Sequence, residues 1–199
     1  IIGLRKPERG RVIIDGRDVT GRPPSEVLDL GVAYIPEDRA RYGIAPDLSV
    51  AENLILRAYR RPPFSRGLFL NMDYIRKWSE ELVAEYGIMA PSIDTPAGSL
   101  SGGNIQRLIL ARELSMTPKL IIASHPTFGL DVAATEQVRA LLLKHRDEGA
   151  GVLLISEDLD EIMELSDRIA VMKDGRITAI VRASEADVEE IGMLMSGAG

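Results

Sequence analysis

Apolar and polar positions change period repeatedly along the chain. Short apolar runs bounded by turn residues predict strands. Residues 11–15 form one, ended by Asp15-Gly16; residues 31–35 form another, stopped at Pro36. Leu120-Ile121-Ile122-Ala123 and residues 152–156 read as buried strands, and residues 168–172 and 177–181 flank a hairpin turn, Lys173-Asp174-Gly175-Arg176. Helical spacing fills the intervals. Residues 1–4 read as a helix tail stopped near Gly3, and Pro23-Pro24-Ser25 opens a short helix to Leu30 with Ser25 as its cap. A polar loop follows at 37–43. Residues 49–97 turn helical: Ser49-Val50-Ala51-Glu52 has the form of a capping box, and Arg60 to Arg66 is a break. Asp73 then opens a helix striped by Ile75, Trp78, Leu82 and Tyr86, closed by Gly87. Further helices are predicted after Ser101, over 132–148, over 158–165 and over 184–195, the last with a Ser-x-x-Asp start.

Strands alternating with helices predict an α/β fold, a largely parallel sheet with helices on both faces. The 199 residues suffice for one domain, or a core with a small subdomain. Net charge −6 argues against a nucleic-acid partner. The absence of cysteine removes disulfides and thiolate metal sites. No apolar run approaches the ~18–20 residues that cross a bilayer, and no signal peptide is evident. The chain starts at Ile1, in mid-pattern, so an N-terminally truncated stretch of a longer protein is expected.

The densest chemistry lies in residues 100–131. Leu100-Ser101-Gly102-Gly103-Asn104-Ile105-Gln106 opens a helix with a hydroxyl and two glycines, which suits a phosphate through free amides and the helix dipole. Ile105, Leu108, Ile109 and Arg112 then keep helical spacing. The 120–123 run, Pro126-Thr127 and Gly129-Leu130-Asp131 follow in order.

This block resembles the signature sequence of ABC-transporter ATPases, followed by the Walker B strand and the D-loop. Asn104 in place of the usual glutamine resembles the sugar- and nucleoside-importer branch. The resemblance implies a P-loop NTPase core of ABC type with an α-helical subdomain. Residues 1–48 would be partial core reaching to the Q-loop, 49–99 the helical subdomain, and 100–199 core again. In that family two nucleotide-binding domains pair head to tail, and each ATP lies between the Walker A loop of one and the signature of the other. Ser101, Gly102, Gly103, Asn104 and Gln106 would then meet ATP in trans, Asp131 would be the D-loop aspartate, and Glu37 would stand at the Q-loop position.

Departures from the family pattern are informative. No G-x-x-x-x-G-K-[ST] occurs in these residues. Where the family has Asp-Glu before Pro-Thr, this chain has Ser124-His125, and Glu157 replaces the switch histidine. Serine is a poor ligand for Mg²⁺, and His125 reads as a former catalytic position left polar. Glu157 would repel a polyphosphate. The resemblance therefore implies the C-terminal half of a tandem importer ATPase, with a degenerate site of its own. ATP and Mg²⁺ would be held mainly by a second ABC domain, expected in the same polypeptide. Membrane-spanning permease subunits, and indirectly a solute-binding protein, would be the other partners, at the cytoplasmic face of the membrane. A self-sufficient ABC-type ATPase and a non-catalytic, nucleotide-dependent interaction module remain alternatives. A repair-type ATPase fits less well, because the insert before the signature is only ~50 residues without sustained heptads.

Overall fold

The computed structural model describes residues 1–196. They divide into two compact units, Ile1–Leu153 and Leu154–Gly199. In the first unit, β1 (Ile13–Ile14) and β2 (Arg17–Asp18) form a small antiparallel hairpin. Its turn places Asp15 and Gly16 at φ 50° and 73°, as a two-residue I′ loop requires. The strand is shorter than the 11–15 run because the Val12 amide turns instead to the Thr20 hydroxyl, at 2.8 Å. Residues 1–4 are not helical; Gly3 sits at φ +84°, where an added Cβ would lie 2.3 Å from the Arg22 carbonyl oxygen. Helix α1 (Pro24–Leu28) starts from Pro23 and not from Ser25. Proline at the first helical position lacks the amide that a capping side chain would satisfy.

Strand β3 (Val32–Ile35) is followed by a π-turn, Arg39–Gly43, where an open loop was expected. The Asp38 carboxylate closes it by accepting the Arg41 amide at 3.0 Å. Helix α2 (Val50–Ile55) has the full capping box: Ser49 Oγ accepts the Glu52 amide and Glu52 accepts the Ser49 amide, at 3.2 and 2.8 Å. The segment after it contains a hairpin that the helical pattern concealed, β4 (Ser65–Arg66) with β5 (Phe69–Leu70). Helix α3 (Met72–Glu85) begins one residue before Asp73, capped by Asn71. Ile75 and Leu82 of its stripe are buried, and Ile75 packs with Ala51, Ile55, Ala58, Phe64 and Ile93 in a core of these residues' own.

Helix α4 (Gly102–Leu114) is buried along most of its length, from Ile105 to Leu114 except Arg107. Strand β6 (Leu120–Ser124) pairs in parallel with β3, from Val32↔Leu120 to Ile35↔Ala123. Helix α5 (Val132–Asp147) buries Val138, Leu142 and His145, as its period predicts. Strand β7 (Gly151–Ile155) completes the sheet in the order β3-β6-β7. It is not the buried strand the apolar run predicts: Leu153 and Ile155 are exposed and alternate with half-buried Val152 and Leu154, so one face of β7 is open.

The second unit holds α6 (Leu159–Leu165), the hairpin of β8 (Arg168–Lys173) and β9 (Arg176–Arg182), and α7 (Val188–Ser196). Ile169, Val171 and Ile191 form its core. Helix α7 starts later than the 184–195 pattern predicts, because Ala183–Glu185 is a 3-10 turn. No helix among the described residues is long and apolar enough to cross a membrane.

Candidate functional site

The register Ile35↔Ala123 places the chain segments leaving β3 and β6 side by side. Pro36-Glu37 follow one strand, and Ser124-His125 end the other. In open α/β sheets ligands bind outside such carboxyl ends. His125 adopts φ +46°, a left-handed conformation that costs a non-glycine residue of order 1 kcal/mol. Glu37 is exposed, while burial, and then the charges of Glu37 and Tyr42, push the Tyr34 phenol above its ordinary pKa.

Helix α4 brings its first turn to the same end of the sheet through Gln106. This side chain is buried, and its amide donates to the Pro126 carbonyl at 2.7 Å. Gln106 thus fastens the helix to the segment after β6 and faces inward. Arg39 makes a second tie. Its guanidinium donates to the Gly102 carbonyl at 3.4 Å and to the Phe128 carbonyl. Its burial draws its pKa below the usual guanidinium value. Sequence reading missed this role, since an arginine in a polar loop resembles a solvated charge.

Ser101 occupies the cap position of α4, yet its hydroxyl makes no bond to the helix amides. It accepts instead from the Asn104 side-chain amide at 3.0 Å. The Asn104 carbonyl oxygen accepts the Met89 amide at 2.8 Å, tying the helix start to the connector after α3. A Cβ added at Gly102 or at Gly103 would meet nothing within 4 Å. Neither glycine is therefore required by packing inside this chain. Each weakens a helix by about 1 kcal/mol relative to alanine. The amides and the open space above them fit an anionic group arriving from outside the chain.

The other candidates have surroundings of their own. Asp131 caps α5 by accepting the Ala134 amide at 2.8 Å, and remains exposed. Ser124 and His125 are half-buried. Glu157 lies in the second unit and is exposed. Among the described residues no three His, Asp or Glu side chains cluster as a metal site needs. Ser124 and His125 offer a neutral hydroxyl and an imidazole where a hard cation takes carboxylates, so they do not fit Mg²⁺.

Beneath the site lies a buried ionic network. The Glu113 carboxylate accepts from Arg57 at 2.5 Å, from Arg112 Nε at 2.9 Å and from the Tyr34 amide at 3.1 Å. It joins the segment just after α2 to α4 and β3. Arg112, counted on the apolar face by its spacing, is buried because this carboxylate accepts its charge.

Comparison with known proteins decides the family: residues 1–128 match the ABC transporter family. The chain belongs to the ABC transporter family. It is 45% identical over 201 residues to the glucose import ATP-binding protein TsgD13 of Haloferax volcanii, covering 100% of this chain and 36% of that protein. It is 42% identical to the nucleoside import ATP-binding protein NupA of Lactococcus lactis, covering 99% of this chain and 39% of NupA. The chain thus spans about two-fifths of the length of these relatives. The same family accounts for the fold. The dimeric post-hydrolysis structure of the ATP-binding cassette MJ0796 bound to ADP and Pi superposes with a TM-score of 0.76 at 25% identity, covering 92% of this chain and 77% of that one. Within this ABC transporter chain, the opening above Gly102 and Gly103 is the best-formed candidate site.

Proposed function

We propose that this chain is part of the ATP-binding component of an importer for simple sugars or nucleosides, and that it donates its signature to ATP held by a second ABC domain. The observation that carries this reading is the start of α4, where two glycines leave space that no described residue of the chain uses. The Ser101 hydroxyl is likewise turned away from capping its own helix. Such an arrangement costs the isolated chain stability and becomes useful when a γ-phosphate is presented from outside. The relatives named for glucose and nucleoside import support the solute class. Residues 49–99 act as the helical subdomain, with 1–48 and 100–199 as the ABC core.

Mg²⁺ belongs to the partner's side of the ATP, because Ser124 and His125 are unsuited to it. The second ABC domain lies in the same polypeptide. Permease subunits dock on the 37–43 segment and α2 at the cytoplasmic face of the membrane, and a solute-binding protein delivers the cargo. Gly102, Gly103, Ser101 and Asn104 form the donating surface, with Asp131 beside the interface. Gln106 acts from beneath, by holding α4 to Pro126.

Steady-state ATPase of the purified transporter tests the reading. Removing a preorganised donor from a transition-state phosphate typically costs ~10²–10³ in rate. Gly103→Asp adds a side chain and a negative charge at that point, so its loss should be at least as large. His125→Ala should cost far less, and Glu157→Ala should be near neutral. Full turnover by Gly103→Asp, together with abolition by His125→Ala or Glu157→Ala, would refute it.

A further inference from the structure

The β4–β5 hairpin carries its apolar side chains away from the core. Leu68 is 99% exposed and Phe69 78%, with Leu70 and Met72 also open. The base of the same hairpin is firmly built. Phe64 is buried and stands edge-on to Tyr74 and Trp78, with ring centroids 5.3 and 4.8 Å away. The Asn71 amide donates to the Phe64 carbonyl at 2.9 Å. Gly67, at φ +64°, makes the turn and has nothing within 4 Å of its Cβ position. A rigid base thus holds out a bare, convex, apolar tip.

The charge around the tip has one sign. Residues 53–72 contain four arginines and no acidic residue, in a chain of net charge −6. Arg57 and Arg61 are paired within the chain, to Glu113 and Asp29. Arg60 and Arg66 have no ion-pair partner among the described residues, and Arg60 stacks over the Tyr59 ring at 5.3 Å. We propose that this tip is a membrane-contact element, which inserts Leu68 and Phe69 among the acyl chains of an anionic lipid surface while Arg60 and Arg66 meet the headgroups. An amphipathic edge of arginine, tyrosine and apolar residues suits the bilayer interface. A convex tip without a groove fits a fluid surface, whereas a protein partner would have to supply a pocket. The chain as a whole is negative, so Arg60 and Arg66 beside the apolar tip orient its approach to anionic lipid.

This inference does not rest on the importer reading, and its test needs no ATP. The full-length protein carrying these residues is co-sedimented, without permease, with phosphatidylglycerol-rich or phosphatidylcholine vesicles. Binding should require phosphatidylglycerol. Each arginine at an anionic surface is worth roughly fivefold, so Arg60→Gln with Arg66→Gln should weaken partitioning by roughly 25-fold. Leu68→Ser with Phe69→Ser should weaken it at least roughly tenfold. These side chains are exposed, and unchanged thermal melts will confirm folding. The chain lacks cysteine, so Leu68→Cys can carry one environment-sensitive dye on a cysteine-free background of the full protein. Its emission should shift to the blue with phosphatidylglycerol vesicles. Absent vesicle binding, equal binding to both lipids, wild-type partitioning by the variants, or an unshifted dye would each overturn the proposal.

Discussion

Replacing Glu113 with alanine removes the acceptor shared by the buried Arg112, the half-buried Arg57 and the Tyr34 amide. Glu113 is 3% exposed and Arg112 7%. Breaking a buried ion pair by deleting one partner costs ~3–5 kcal/mol. The Tyr34 amide, left without its acceptor, adds a desolvation cost of ~1–3 kcal/mol. Arg57 keeps one bond, to the Leu28 carbonyl at 3.0 Å, which moderates the loss. The expected destabilisation is therefore about 4 kcal/mol, or a fall of roughly 8–16 °C in Tm for a chain of this size. Chemical denaturation followed by fluorescence of Trp78, the single tryptophan here, measures it. A double-mutant cycle isolates the coupling. Arg57→Met and Glu113→Met should each be costly alone, and together should cost less than their sum, because the combined change removes the buried charge pair. A cost below about 1 kcal/mol for Glu113→Ala, or strict additivity in the cycle, would refute the view that this carboxylate joins the segment just after α2 to α4 and β3.

Gly43→Ala places a Cβ 2.3 Å from Ile109 Cδ1; denaturation should show a loss of ~1–3 kcal/mol, partly recovered by adding Ile109→Val. Asn104→Ala removes the tie to Met89, so hydrogen exchange at the Met89 amide should accelerate and transporter ATPase should fall; an unchanged exchange rate would count against the tie. Burial first, then the charges of Glu85 and Glu148, pushes the Tyr86 phenol up to about 12. Its ordinary value is about 10, so the unfolded chain releases this proton first and stability should decline between about pH 10 and 12. Tyr86→Phe should flatten that limb of the pH–stability curve, and an unchanged slope would count against the burial argument.

The parts of the fold legible in the sequence were those set by local chemistry. The Ser49 capping box, the Asp15-Gly16 and Asp174-Gly175 turns and the α5 stripe needed only neighbours within a few residues. The start of α4 was legible too, because Ser101 at the cap position and the helical spacing after it sufficed. What stayed hidden depends on distant partners. Arg39 reaches carbonyls 63 and 89 residues away. Arg112 was legible only as one more position on a helical stripe, since the acceptor of its charge had no sequence signal. The β4–β5 hairpin has strands of two residues each, too short for an alternating pattern to appear. Strand β7 shows the converse error: an apolar run predicts burial on both faces, but the face carrying Leu153 and Ile155 is open.

The open space above Gly102 and Gly103 has a consequence on the timescale of descent. Selection for a stable chain alone would fill both positions, since alanine fits without a clash and makes the better helix. A lineage that ceased to face a partner would therefore drift toward side chains there, long before its core changed. Under the proposed signature role, the two missing methyl groups act as a record of use, kept for as long as a partner's ATP is accommodated there.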